Sequence, residues 1–252
     1  MKEMGAQMNI NTSKVLSTVP TPNEPKRVEI DNRTLKLVVG LVAIGLPLLT
    51  GLLTDRRIRS ISESYYFTGA ASTIFVGFLF AIAAFLCAYN GRTRYQMFWS
   101  KVAGLSAALI ALFPCDCERM KGPGVHYVAA VAIFGVLTYF CWAFYRRSLT
   151  SSYPQARARR TVYLACATAI LLAILALSVN ALLHFDASWI PQFVFYGEAV
   201  GLVAFGTSWL VASRTLPGLT HPQERFSPFR AINLPDYDAS APTEYDGRAD
   251  GD

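Results

Sequence analysis

The sequence predicts an all-α, polytopic membrane protein: a bundle of six transmembrane helices with a polar tail at either side. Six apolar stretches carry that prediction, approximately Leu35–Leu53, Phe67–Tyr89, Met97–Cys115, Val125–Tyr145, Val162–Leu183 and Phe193–Ser213. Each is close to the roughly 20 apolar residues that a helix needs to cross the hydrocarbon core. The composition agrees, with 53% hydrophobic and only 16% charged residues in 252, less charge than a soluble domain carries. Outside the six stretches only tails and short loops remain, so any chemistry has to sit on the spans or in those loops.

Residues 1–32 are polar, contain Pro20, Pro22 and Pro25, and read as a disordered cytoplasmic tail. They hold no apolar core of a secretory signal, so the first span is expected to act as the targeting signal. Lys2 after Met1 does not fit the myristoylation pattern, which has Gly second. Residues 33–216 are expected to form the transmembrane domain. Its first span contains Pro47, expected to kink it, with neighbouring helices satisfying the freed carbonyl. In the third, Lys101 lies close to Trp99, where its stem is expected to snorkel to the interface, and Pro114 is expected to end the helix. The fifth carries Ala165, Ala169 and Ala173 on one stripe. The sixth has the G-x-x-x-G spacing Gly197 to Gly201, then Gly206, a pattern that lets another helix backbone approach. Residues 217–252 are rich in Pro, Asp, Ala and Gly and read as a disordered acidic tail that does not pack on the bundle.

The net charge is +6, but Asp236, Asp238, Glu244, Asp246, Asp250 and Asp252 gather at the end of the chain. The excess positive charge therefore flanks the spans, a topology pattern rather than a nucleic-acid signal. One set of flanks carries Lys26, Arg27, Arg33, Arg92, Arg94, Lys101, Arg146, Arg147, Arg157, Arg159, Arg160 and Arg214. The other carries Arg56, Arg57, Arg59, Arg119 and Lys121. The richer set predicts both termini in the cytoplasm of a cell-membrane protein, with Arg56, Arg57 and Arg59 as the discordant group.

That topology sends Glu63, Asp116, Glu118, His126, His184, Asp186 and Glu198 to one extracytoplasmic side. Glu198, just inside the sixth span, is either a site residue or a solvated helix end, because a carboxylate within a span is costly unless paired or wet. His126 follows the turn Gly122-Pro123-Gly124, and an imidazole there can pair with a carboxylate, relay protons or simply make one hydrogen bond. Glu63 belongs to Ser60-Ile61-Ser62-Glu63, which also fits a capping box. Glu63, His126 and Glu198 are the catalytic candidates, and His126 and Glu198 the metal candidates; no cofactor is expected. Ser60 or Ser62 can be drawn into a triad with His126 and Glu198, although spacing alone does not define one. Cys87, Cys141 and Cys166 read as small packing residues, and Cys115 with Cys117 lacks the second pair of a zinc site.

At these residues the chain resembles the six-span membrane family that includes the damage-regulated autophagy modulator, the fungal Sfk-type proteins and the GPI-remodelling factor, and more closely its bacterial members. The matching segments are Ser60-Ile61-Ser62-Glu63, Val102-Ala103-Gly104-Leu105, His126-Tyr127-Val128-Ala129-Ala130, Gly197-Glu198-Ala199, Ala204-Phe205-Gly206 and Ser208-Trp209, within about residues 35–213. The resemblance implies a six-helix membrane fold and a link to lipid handling, with Glu63, His126 and Glu198 as the positions of interest. The transmembrane zinc-dependent lipid hydrolases such as ceramidases are a related comparison, but their closing H-x-x-x-H is absent here.

The functional expectation is a protein that senses or organises membrane lipid, with lipid as its partner and Gly197 and Gly201 available for helix association. A hydrolase acting on a lipid headgroup through Glu198, His126 and Glu63 is the alternative, and a small-solute transporter a further one. No sequence repeat accompanies the spans, which weakens the transporter reading.

Overall fold

A computed structural model of the protein describes residues 31–54, 57–113, 115, 124–182, 190 and 192–227. Six α-helices follow one another: α1 (Asn32–Leu52), α2 (Ala70–Ala88), α3 (Arg94–Leu112), α4 (Val125–Leu149), α5 (Gln155–Leu182) and α6 (Phe193–Ser213). Among the described residues there is no strand. Among them, five helices, all but α3, are long and apolar enough to cross a membrane. The expected third span, Met97–Cys115, therefore does not reach that standard as a helix. Arg94, Gln96 and Lys101 occupy its first two turns and dilute the apolar run that begins at Val102.

The helices start and stop for local reasons. Asp31 caps α1 by accepting from the Arg33 amide at 2.9 Å. Thr93 caps α3 by accepting from Gln96 N at 3.2 Å, while Gln96 Oε1 accepts from Arg92 N at 2.9 Å, one residue earlier than a capping box prescribes. Lys101 does not simply reach for water. Its ammonium donates to the Cys87 and Tyr89 carbonyls and to Asn90 Oδ1, so it caps the C-terminus of α2. Pro47 is accommodated within an uninterrupted α1, and Thr50 Oγ1 donates back to Leu46 O at 2.8 Å.

Each helix packs on its neighbours in the chain, and α1 meets α6 to close the ring; α4 also touches α6 across it. Successive helices run in opposite directions, so the bundle has two ends. The tail end gathers Asp31 and Ser227, and the loop end gathers the α1–α2 connection. At the seam the Gly40 and Gly206 backbones approach so closely that a Cβ on Gly206 would lie 2.7 Å from Gly40 O. Gly197 and Gly201 are used inside the same chain, the first against Leu177 of α5 and the second against the Phe134 ring of α4. The α5 stripe differs from expectation. Its buried face is Tyr163, Cys166, Ala167, Ile170 and Ala173, whereas Ala165 is exposed. Near the tail end the core holds an aromatic cluster, in which Trp209 lies among Tyr89, Phe140, Phe144 and Phe205 with ring centroids 5.2–6.0 Å away.

The start of the expected C-terminal tail is a correction to the sequence reading. Two 3₁₀ turns, Pro217–Leu219 and Pro222–Glu224, fold back on the helix ends. Arg159 of α5 is completely buried and donates to Leu219 O at 3.0 Å and to Glu224 Oε2 at 3.1 Å. Arg214 donates to the same carboxylate oxygen at 3.1 Å, and Arg33 reaches the Glu224 carbonyl. Composition concealed this because few apolar residues are involved; charge pairing and backbone bonds hold the segment. Residues 228–252, and residues 1–30 of the expected tail 1–32, lie outside the described residues, while Asp31 caps α1 and Asn32 begins it.

Candidate functional site

The residues that carry the sequence hypothesis meet at the loop end, around the segment that joins α1 to α2. From Ile58 this segment turns into the bundle and forms a 3₁₀ turn at Ser62–Tyr66. Ile58, Ile61, Ser62 and Ser64 are buried, so apolar and small hydroxyl side chains replace the polar exposure usual for a loop. Its backbone then needs internal partners, because a buried amide without one is costly.

The candidates supply them. Glu198, in the second turn of α6, accepts from Ile61 N at 2.5 Å. Glu63 accepts from Arg59 N through Oε2, and Ser60 Oγ accepts from Glu63 N at 3.0 Å. This is the capping geometry anticipated from Ser60-Ile61-Ser62-Glu63, with the carboxylate bond falling one residue earlier than the box prescribes. Gln192 Nε2 donates to Ile58 O at 2.9 Å, and Phe195 N donates to Arg59 O at 2.8 Å. Gln192 itself sits in the left-handed region at φ 62°. A non-glycine residue there carries strain of about 1 kcal/mol or more, which the loop contacts at α6's start hold in place.

His126, in the first turn of α4, is buried with a partner on each ring nitrogen. Nδ1 is 3.0 Å from Phe113 O and Nε2 is 3.1 Å from Ser62 Oγ. A carbonyl can only accept, so Nδ1 carries the proton; in the neutral ring Nε2 accepts from the Ser62 hydroxyl. The resulting chain, Ser62 to His126 to the Phe113 carbonyl, ties the loop to the end of α3 and the start of α4. A serine aimed at an imidazole nitrogen is the geometry of a nucleophile and its base. The third member here is a backbone carbonyl, and Glu198 and Glu63 bind loop amides.

Thus Glu63, His126 and Glu198 converge on one buried segment. Among the described residues no three His, Cys, Asp or Glu side chains gather as a metal site. Asp116, Cys117, Glu118, His184 and Asp186 lie outside the described residues. Cys115 is within reach of the Tyr127 hydroxyl, 3.1 Å from Sγ. Beside the loop an open depression of about 370 Å³ is lined by Gly51, Thr54, Arg57, Ile58, Gln192, Phe195 and Tyr196. Neither Ser62 nor His126 lines it.

Sequence reasoning named Ser62 only as one member of a triad that could be drawn and did not foresee Phe113 O or Ile61 N as partners. Backbone atoms carry no sequence signal. Lys36, a cation at the start of the first span, carried no role in the sequence expectation.

No family model, no curated protein and no solved structure matches the chain. The fold and site nevertheless define a class: a multi-helix protein with several helices long and apolar enough to cross a membrane and a buried polar loop at one end.

Proposed function

We propose that the chain is a six-span protein of the cell membrane, with both tails cytoplasmic, that associates with and organises membrane lipid. One observation carries the reading: large apolar side chains point outward on every helix. Leu41 of α1, Phe80 of α2, Leu105 of α3, Val131 of α4, Leu172 of α5 and Val200 of α6 are all exposed, Leu105 by 62%. So wide an apolar surface belongs against lipid rather than water. Its presence on α3 supports counting α3 as the sixth span. At 19 residues it is about 28 Å long, close to the ~30 Å of a bilayer core. The Lys and Arg bias supports the orientation, and the family resemblance supports the link to lipid.

Reporter fusions test the topology. Fusions after Arg147 and at the C-terminus should score cytoplasmic and one at Lys121 external. Equal scores at Arg92 and Lys121 would remove α3 from the spans. Release of the protein from membranes by alkaline carbonate would sink the reading altogether.

The Ser62–His126 contact favours a second reading, hydrolysis at the loop-end interface with Ser62 as nucleophile and His126 as base. A fluorophosphonate probe should then label the wild-type protein and not Ser62→Ala. Equal labelling of both, or of neither, removes this reading.

A further inference from the structure

Lys36 is the least expected charge in the molecule. It lies in the second turn of α1, near the tail end, yet is only 5% exposed. A lysine so close to a helix end ordinarily snorkels its ammonium to water. Here the side chain turns inward, with Nζ 5.2 Å from the Tyr89 ring centroid and 5.7 Å from that of Phe144. A phenol is neutral near pH 7, so this partner offers its ring face, not a negative charge.

Among the described residues no anion balances the ammonium at contact range. Among the described residues the only ion pairs are those of Glu224 with Arg159 and Arg214. Asp31 attracts Lys36 from farther off, while accepting from the Arg33 amide. The remaining neighbours are cations: Arg147, Arg92 and Arg33 all bear on Lys36. Their placement is built into the fold. Arg147 follows Phe144 by one turn of α4, and Arg92 follows Tyr89 by three residues, so the two rings that cradle Lys36 each lead to an arginine. Both arginines are exposed, and among the described residues neither is in an ion pair. The N-terminus of α1 adds its positive dipole end. A buried cation among further cations is costly without a counter-charge.

We propose that Lys36, Arg92 and Arg147 form a binding site for the phosphate of an anionic phospholipid from the leaflet at the tail end. Lys36 forms the floor and the two arginines the rim. Guanidinium forks suit phosphate oxygens, and basic pockets between helices are where acidic headgroups seat. The acyl chains then lie along the exposed apolar faces beside the site. Free phosphate offers the same oxygens, but lipid alone is concentrated at this depth. The inference rests on the lipid-associated reading and gives it a ligand class.

The experiment uses full-length protein in nanodiscs of phosphatidylcholine with or without phosphatidylglycerol, released into detergent and examined by native mass spectrometry. Phosphatidylglycerol should be retained in preference to phosphatidylcholine. Lys36→Met and Arg147→Gln should each weaken that preference by about tenfold, the loss of one charge-assisted contact. Arg147 is exposed, so its variant decides the matter if Lys36→Met fails to fold. Equal retention of the two lipids by wild type, or unchanged preference in Arg147→Gln and a folded Lys36→Met, overturns the site while leaving lipid association intact. Loss of all lipid from wild type overturns both. Displacement of phosphatidylglycerol by inorganic phosphate would reassign the site to a free anion.

Discussion

Glu198 shows at the scale of one residue why a carboxylate within a span need not be catalytic. Its acceptor oxygen meets Ile61 N, an amide on a residue only 2% exposed. Glu198→Leu removes the acceptor and strands that amide, at about 1–3 kcal/mol. Glu198→Gln keeps an oxygen in place and loses the charge assistance, about 1 kcal/mol. Thermal unfolding in one detergent should rank wild type above Glu198→Gln and Glu198→Leu lowest. A leucine variant as stable as wild type would return Glu198 to the role of a wetted helix end. His126→Phe should likewise destabilise, because it leaves both the Ser62 hydroxyl and the Phe113 carbonyl without the imidazole. The identity of these side chains was legible in the sequence, as was their gathering at one end. Their roles were not, because the partners are backbone atoms of a loop whose inward turn no side-chain pattern announces.

At the scale of an element, the segment from Pro217 to Glu224 acts as a strap across the tail end. It joins α5 through Arg159, α6 through Arg214 and α1 through Arg33. Tyr153 stacks on His221 with ring centroids 4.5 Å apart, adding the α4–α5 connection. Burial, and then the charge of Arg159, hold the Arg214 guanidinium below its usual value, which makes the Glu224 carboxylate more consequential. Arg214 also ends α6 in the left-handed region at φ 65°, and Phe226 N donates to its carbonyl at 3.0 Å. Truncation after Leu216 would leave the buried Arg159 without its carboxylate and without Leu219 O. Breaking a buried pair from one side costs about 3–5 kcal/mol, so truncation should lower the thermal midpoint sharply. Truncation after Ser227 keeps every described contact and should leave it almost unchanged. Equal behaviour of the two truncations would mean that the strap adds nothing. Pro- and Asp-rich composition pointed to a tail from residue 217 onward, because composition counts apolar burial and cannot see one carboxylate placed between two arginines.

Across the whole molecule, hydropathy located the helices closely, and α6 begins and ends where the apolar run does. Two helices outrun their apolar stretches, α4 through Arg146 to Leu149 and α5 from Gln155, whereas α2 falls short of its stretch at both ends. The hydrogen-bond ladder is indifferent to side-chain polarity, and cations in the last turn of α4 suit its dipole. Hydropathy is one-dimensional, however, and does not say which helix closes the ring. That closure depends on glycine at the α1–α6 seam, where a Cβ on Gly206 would meet Ile44 Cγ1 at 2.6 Å and the Gly40 carbonyl at 2.7 Å. Gly135 of α4 provides the contrast, since a Cβ there meets nothing within 4 Å. The same substitution should therefore have opposite outcomes. Gly206→Leu must push α1 from α6, costing more than the about 1–3 kcal/mol of ordinary overpacking because a carbonyl cannot swing aside as a side chain does. It should yield protein that is unstable or polydisperse in detergent. Gly135→Leu adds an apolar side chain toward lipid and improves helix propensity by several tenths of a kcal/mol, so its thermal midpoint should match or exceed wild type. If Gly135→Leu were as damaging as Gly206→Leu, the outer face of α4 would be covered by another protein surface and not by lipid, and the belt of outward-facing apolar residues would need a different explanation.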